Sequence, residues 1–188
     1  MTDARALPAR FNVKEDVSSS SLVKSSVQRG IRQKVLEQYE PLQSIADDIL
    51  PKKSNMYLMK CHEHINLVSL NNRILFFNQR EGAHAPTLRL VHEYPGFIPT
   101  VQVDRGAIKF LLSGANIMCP GLTSPGARMD VELPEGAIVA VMAEGKQHAL
   151  AIGRMKMSTS DIKKINKGIG VETLHYLGDG LWKTRTVA

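Results

Sequence analysis

The sequence predicts an α+β protein built from two small domains, and three observations carry that prediction. Apolar residues at helical spacing over 23–50 give way to short strand-like runs over 57–77. The passage Tyr94-Pro95-Gly96-Phe97-Ile98-Pro99 then breaks every pattern and divides the chain into residues 1–97 and 98–188. Beyond it, VDRGAIKFLLSGANIMCPGLTSP (103–125) reads as a helix, a loop and a strand with glycine at both exits. At 188 residues and 43% hydrophobic content, each half is long enough to bury a core of its own.

In the first half, residues 1–10 have little pattern and read as a flexible tail, and Ser18 to Ser21 as a loop or the approach to a helix. Val23, Val27, Ile31 and Val35 recur every four residues, as on the buried face of a helix. Pro41 interrupts, and Leu42, Ile45, Ala46, Ile49 and Leu50 resume the pattern until Pro51 ends it. Strand-like runs follow at Tyr57 to Cys61 and Ile65 to Leu70, then a turn at Asn71-Asn72 and a further run from Ile74 to Phe77. Thr87 to Tyr94 reads as a short helix between Pro86 and Pro95.

Cys61-His62-Glu63-His64 has the C-x-x-H spacing of a metal site, but a closed zinc shell takes four ligands. The only other cysteine, Cys119, is in the second half, and no further C-x-x-C or H-x-x-x-H pair completes a shell. A polar turn between two strands, with no metal and no cofactor, is the expectation. Two cysteines also make no disulfide framework, which fits a reducing cytoplasm.

In the second half, Asp104 can cap a helix whose Ala107, Ile108, Leu111 and Leu112 form an apolar stripe with Phe110 at its edge. Arg105, Lys109 and Ser113 lie on the other side. Gly114 stands where a helix is left through a positive-φ residue. Ala115-Asn116-Ile117-Met118 then reads as a short strand running into a turn at Cys119-Pro120-Gly121. Missing side chains at Gly114 and Gly121 let a bulky ligand such as an RNA backbone approach the main chain; positive φ alone explains either glycine equally well.

Pro134-Glu135-Gly136 turns into Ile138 to Ala143, an apolar run expected to be covered on both faces. Glu144-Gly145-Lys146-Gln147 reverses it into His148 to Met157, where Arg154 and Lys156 share a face. Ser158 begins a helix with an apolar edge of Ile162, Ile165 and Ile169, closed by Gly168. Its Lys163, Lys164 and Lys167 are accounted for by the helix dipole. Val171 to Leu177, Gly178-Asp179-Gly180 and Leu181 to Val187 read as a closing hairpin, with Trp182 in the core.

Net charge is +6, and residues 146–188 hold 8 basic against 3 acidic side chains, the footprint of a phosphate-rich partner. No apolar run reaches the roughly 20 residues of a membrane span. Phosphate-binding glycine loops, the nucleophile elbow and the His-Glu-x-x-His pair are all missing, so common hydrolase, dehydrogenase and nucleotide-hydrolysis chemistries have no support. After residue 100 the aromatics are Phe110, Tyr176 and Trp182, each with an apolar role available. That is too few for a binder of stacked single strands, and favours structured RNA held by backbone, 2′-hydroxyls and shape, with one end nucleotide near the glycine loop.

The order DRGAIKFLLSGANIMCPG, IVAVMAEGKQHALAIGRMKMS and GDGLW resembles a PUA domain, a small β-barrel-like RNA-binding module. With CHEHINLVSL, LFFNQREG, PTLRLVHEYP and MCPGLTSPG, the resemblance widens to the malignant T-cell-amplified sequence proteins and covers residues 11–188. The chain departs from that pattern in the residues before Phe11, the serine run and the turn from Arg128 to Gly136.

The resemblance implies a small α+β N-terminal domain packed against a C-terminal PUA domain. It also implies a cytoplasmic, non-enzymatic translation factor that binds the small ribosomal subunit and tRNA, in non-canonical initiation, reinitiation and recycling after termination. The implied partners are small-subunit rRNA, tRNA and density-regulated protein as a heterodimer, with neither membrane nor DNA. The expected RNA site takes Gly114, Ala115, Asn116, Pro120 and Gly121 as the admitting loop, and Arg105, Lys109, Lys146, Arg154 and Lys156 as phosphate contacts. Two rivals remain: a small PUA-containing tRNA- or rRNA-modifying enzyme, for which the other half is short, and an adaptor whose PUA fold binds protein.

Overall fold

The computed structural model describes residues 11–187; the flexible tail expected over residues 1–10 lies outside them. The first half runs α1 (Val13–Asp16), β1 (Val17–Leu22), α2 (Ser25–Gln38), a 3-10 stretch Glu40–Ile45 and α3 (Ala46–Ile49). Strands β2 (Met56–Cys61), β3 (Ile65–Leu70), β4 (Arg73–Gln79) and β5 (Ala85–Pro86) follow, and α4 (Leu88–Glu93) ends the half. The five strands form one antiparallel sheet in sequence order.

Local chemistry sets several of these boundaries. Asn71 and Asn72 sit at φ 49° and 62°, the left-handed pair that a two-residue hairpin needs. The short helix expected between Pro86 and Pro95 is α4, and Thr87 caps it, its side chain accepting from the Leu90 amide. The serine run is a strand rather than a loop: β1 pairs with β2, and the Ser18 hydroxyl donates to the Lys60 carbonyl at 2.8 Å. Serine has no preference for strands, so pairing with β2 decides the outcome.

The buried stripe of α2 is also displaced from the expected one. Val27 is exposed while Gln28 is buried, because the Gln28 amide donates to the Pro51 carbonyl and the Ser54 hydroxyl. Beneath it, Phe76 is fully buried against Tyr39, which in turn meets Phe97 edge-on.

His62–His64 form the polar turn between β2 and β3, with all three residues exposed and Cys61 buried. Desolvation, and secondarily the Asp16 carboxylate, push the Cys61 thiol up to about 11. Cys61 is therefore a neutral thiol at pH 7.5, and its alkylation by iodoacetamide is expected to be far slower than that of a free cysteine, as mass spectrometry would show.

The second half runs β6 (Thr100–Val103), a 3-10 turn Arg105–Ala107, α5 (Ile108–Leu111), β7 (Ile117–Met118) and α6 (Pro120–Thr123). Then come β8 (Ile138–Ala143), β9 (Ala151–Met155), α7 (Thr159–Ile165), β10 (Ile169–Tyr176) and α8 (Gly180–Lys183). The sheet order is β6-β8-β9-β10-β7, with β6 and β8 parallel and the other pairs antiparallel.

Three expectations change here. Cys119-Pro120-Gly121 opens helix α6 instead of making a simple turn, with proline at a first-turn position where its missing amide costs nothing. Helix α7 ends on Asn166 in the left-handed conformation, two residues before Gly168, and of its apolar edge only Ile162 is buried. The closing hairpin is absent, because Asp179 accepts from the Trp182 amide and starts α8 where a second strand was expected.

The apolar run of β8 is covered on both faces, as its composition predicts. Val139, Val141, Ala151, Met155 and Val171 pack with Leu111, Leu122 and Ile162 in the core of the second half. From the opposite face Ile138, Ala140, Ile152 and Leu174 join the core of the first half. Leu181 and Val187 join it too, and the Val187 amide donates to the Asn72 carbonyl, so one of the two apolar cores draws on both domains.

Candidate nucleic-acid interface

The helix-loop-strand unit is fixed by its own polar groups. Asp104 Oδ1 accepts from the Ala107 amide at 3.0 Å and Oδ2 from the Ser124 hydroxyl at 2.6 Å. The Ser124 hydrogen bond, more than the amide bonds, holds the Asp104 carboxyl below the usual carboxylate range. Of the predicted stripe, Leu111 is buried, Ala107 and Ile108 are half-buried, and Leu112 is exposed. Phe110 is 57% exposed, with the Lys109 ammonium 4.9 Å from its ring centroid, so it is a surface ring rather than core.

Gly114 leaves the helix at φ 86°, its amide donating to Leu111 and the next amide, Ala115, to Phe110. A side chain there would also meet the Tyr176 ring, 2.9 Å from the Cβ position. Gly114→Ala is expected to cost about 1–3 kcal/mol, read from urea denaturation. Gly121 makes no such demand: its φ is ordinary and a Cβ would rest 3.6 Å from Ile117.

The loop is sewn to β10. The Ala115 carbonyl accepts from the Thr173 hydroxyl at 2.8 Å, and Asn116 Oδ1 from the Thr173 amide at 3.0 Å. Asn116 therefore shapes the loop with its amide oxygen, while Ala115, Asn116 and Pro120 present exposed surface.

The predicted cations separate into two groups. Arg105 lies over the β8–β9 turn, its Nη2 3.4 Å from the Cβ position of Gly145, beside exposed Lys146. Its amide donates to Glu144 Oε2 at 3.2 Å, and Lys109 stands four residues on along the same helical unit. Arg105, Lys109 and Lys146 thus form one exposed basic face.

Arg154 pairs with Ile138 at the start of β8, the far end of that strand from the turn, roughly 20 Å away at the rise of an extended chain. Its Nη1 lies 3.8 Å from Glu172 Oε2, on the sheet face turned to the first domain, so it is half-buried and engaged. Lys156 is exposed, its amide donating to the Gly170 carbonyl near β7.

The structure adds residues that dipole reasoning set aside. The Thr123 hydroxyl meets Asn166 Oδ1 at 2.6 Å and the Cys119 amide donates to the Gly168 carbonyl, which puts the end of α7 beside the Pro120 loop. Exposed Lys164 and Lys167 belong to that end of α7 and the turn after it, while Lys163 Nζ donates to the Met129 carbonyl at 3.4 Å; Met118, Ile165 and Ile169 are exposed too. Trp182 is not a stacking surface; Arg89 covers it, the guanidinium carbon 4.2 Å from the ring centroid.

What these faces offer is cationic head groups, the means of holding phosphates; the glycines do not open the main chain to a backbone as expected, because Tyr176 packs over Gly114 and Ile117 lies against Gly121. Comparison with known proteins agrees on the architecture. Residues 11–95 match the Pre-PUA-like domain and residues 99–177 the PUA domain. A hypothetical protein from Pyrococcus horikoshii shares the fold at a TM-score of 0.70 and 23% identity, over 89% of this chain and 99% of its own.

A PUA domain protein from Thermoplasma acidophilum does so at 0.60 and 19%, over 88% and 98%. In sequence, the chain is 57% identical over 173 residues to the Malignant T-cell-amplified sequence 1 homolog of Dictyostelium discoideum, covering 92% of this chain and 95% of the relative. It is 55% identical over 177 residues to Malignant T-cell-amplified sequence 1 of Rattus norvegicus, covering 94% and 97%. With identity that high and coverage nearly end to end, this chain belongs to the malignant T-cell-amplified sequence family.

Proposed function

We propose that this protein is a non-enzymatic, RNA-binding translation factor that acts with tRNA on the small ribosomal subunit, in non-canonical initiation, reinitiation and recycling. The observation that carries the reading is the exposed face of Arg105, Lys109 and Lys146 beside a rigid, glycine-exited loop, on a PUA domain. Such a face recognises backbone charge and shape without selecting bases. Density-regulated protein is its proposed partner and the cytoplasm its proposed location; among the described residues no helix is long and apolar enough to cross a membrane.

Co-sedimentation with purified small ribosomal subunits tests the reading, with and without density-regulated protein. The expected result is binding that the partner strengthens and that falls as salt is raised. Binding insensitive to salt, or seen only when the partner is present, supports an adaptor instead.

A further inference from the structure

The first domain carries an open cleft of about 780 Å3 between α2 and the sheet, away from the basic face described above. Lys34 of α2, Lys60 of β2, His64, Arg80 and His84 all line it. Among the described residues, the Lys60 ammonium, the Arg80 guanidinium and the rings of His64 and His84 have no hydrogen-bond or ion-pair partner. The one carboxylate lining it, Glu81, is 3.7 Å from Lys34 and nearly fully exposed.

We propose that this cleft is an anion site that holds phosphates of an RNA backbone. Lys34, Lys60 and Arg80 bring positive charge to it from a helix, a strand and a turn, and the rings of His64 and His84 add hydrogen-bonding nitrogens. Arg80 sits at φ 53°, its amide donating to the His64 carbonyl at 2.8 Å and its carbonyl accepting from Asn66 Nδ2.

His84 is 7% exposed, its main chain gripped on both sides by the Gln38 amide and by the Tyr39 hydroxyl. The His84 ring lines the cleft, and neither of its nitrogens is sealed off without a partner, so they open into it. Val27, Ile31 and Leu58 supply an aliphatic floor, which suits the carbon face of a ribose.

RNA as the source of the phosphate rests on the function proposed above; the anion site itself does not. The test follows the His64 and His84 ring resonances of the full chain by NMR, with inorganic phosphate, an RNA hairpin and polyglutamate added in turn. The salt dependence of hairpin binding is measured in parallel for Lys60→Glu/Arg80→Glu and Arg105→Glu/Lys146→Glu, with Lys60→Gln/Arg80→Gln in case charge reversal disturbs the fold.

The expected result is that phosphate and RNA move both rings and that Lys60→Glu/Arg80→Glu lowers the salt slope by about two. The proposal is overturned if that variant binds RNA like the parent, if polyglutamate moves the rings as strongly as RNA, or if phosphate alone moves them. Loss in Lys60→Glu/Arg80→Glu with none in Arg105→Glu/Lys146→Glu keeps the cleft and removes the C-terminal face; the reverse removes the cleft alone.

Discussion

Asp179→Ala is expected to cost about 3–5 kcal/mol, the range for removing one partner of a buried charged network. Asp179 is 2% exposed, and its carboxylate serves three donors. Oδ2 accepts from His175 Nδ1 at 2.7 Å and from the Tyr176 amide at 3.0 Å, and Oδ1 accepts from the Trp182 amide at 2.8 Å. Alanine leaves all three without an acceptor where water does not reach, each at about 1–3 kcal/mol if nothing rearranges.

The damage is not confined to the last helix. His175 packs edge-on against Phe77 of the first domain, and Trp182 carries Arg89 of α4, whose Nη2 donates to the Trp182 carbonyl at 2.7 Å. Loosening α8 therefore loosens the domain contact as well. Equilibrium urea unfolding checks this: Asp179→Asn, which keeps the shape and one acceptor oxygen, should fall between parent and alanine variant. A loss under 1 kcal/mol in the alanine variant would mean that the network does not hold this end of the chain.

Arg105→Glu/Lys146→Glu is expected to have the largest effect on binding. Both side chains are exposed and make no ion pair among the described residues, so reversal removes two positive contacts without emptying a core position. RNA affinity should fall for every sequence alike, and the slope of log K against log salt should drop by about two. Thermal stability should stay within about 0.5 kcal/mol of the parent. Arg154→Glu behaves differently, because it places a carboxylate beside Glu172 in a half-buried position, and stability falls along with any change in binding.

These contrasts show which parts of the molecule are legible in sequence. Asp104, Thr87 and Ser158 announce their helices because each cap and its amide lie three residues apart. The Asn71-Asn72 turn and the Gly114 exit are as local. Strand β1 was hidden because its partner lies some 42 residues away at Lys60, and nothing in four serines points there. The hairpin expected at the C-terminus failed for the same reason: Leu181 and Val187 are apolar to fill the first domain's core, not to alternate along a strand.

The same rule divides the candidate site. Arg105 and Lys109 follow from the polar side of a helix and Lys146 from a turn, and the structure gathers the three on one exposed face. The spacing of Arg154 from Lys156 groups it with them, but its surroundings are set by Glu172 on the neighbouring strand, which periodicity along one strand does not reveal. Helix spacing places Phe110 at the edge of an apolar stripe, which suggests filling, whereas the ring is 57% exposed.

On the reading proposed above, an RNA backbone is held on the face of Arg105, Lys109 and Lys146. The most direct measurement is the affinity of the purified full chain for deacylated tRNA and for small ribosomal subunits across a salt series, beside Arg105→Glu/Lys146→Glu. Affinity that falls steeply with salt, with a slope reduced by about two in the variant, is the predicted result. A variant that binds both RNAs with the parent's affinity and the parent's slope would contradict it.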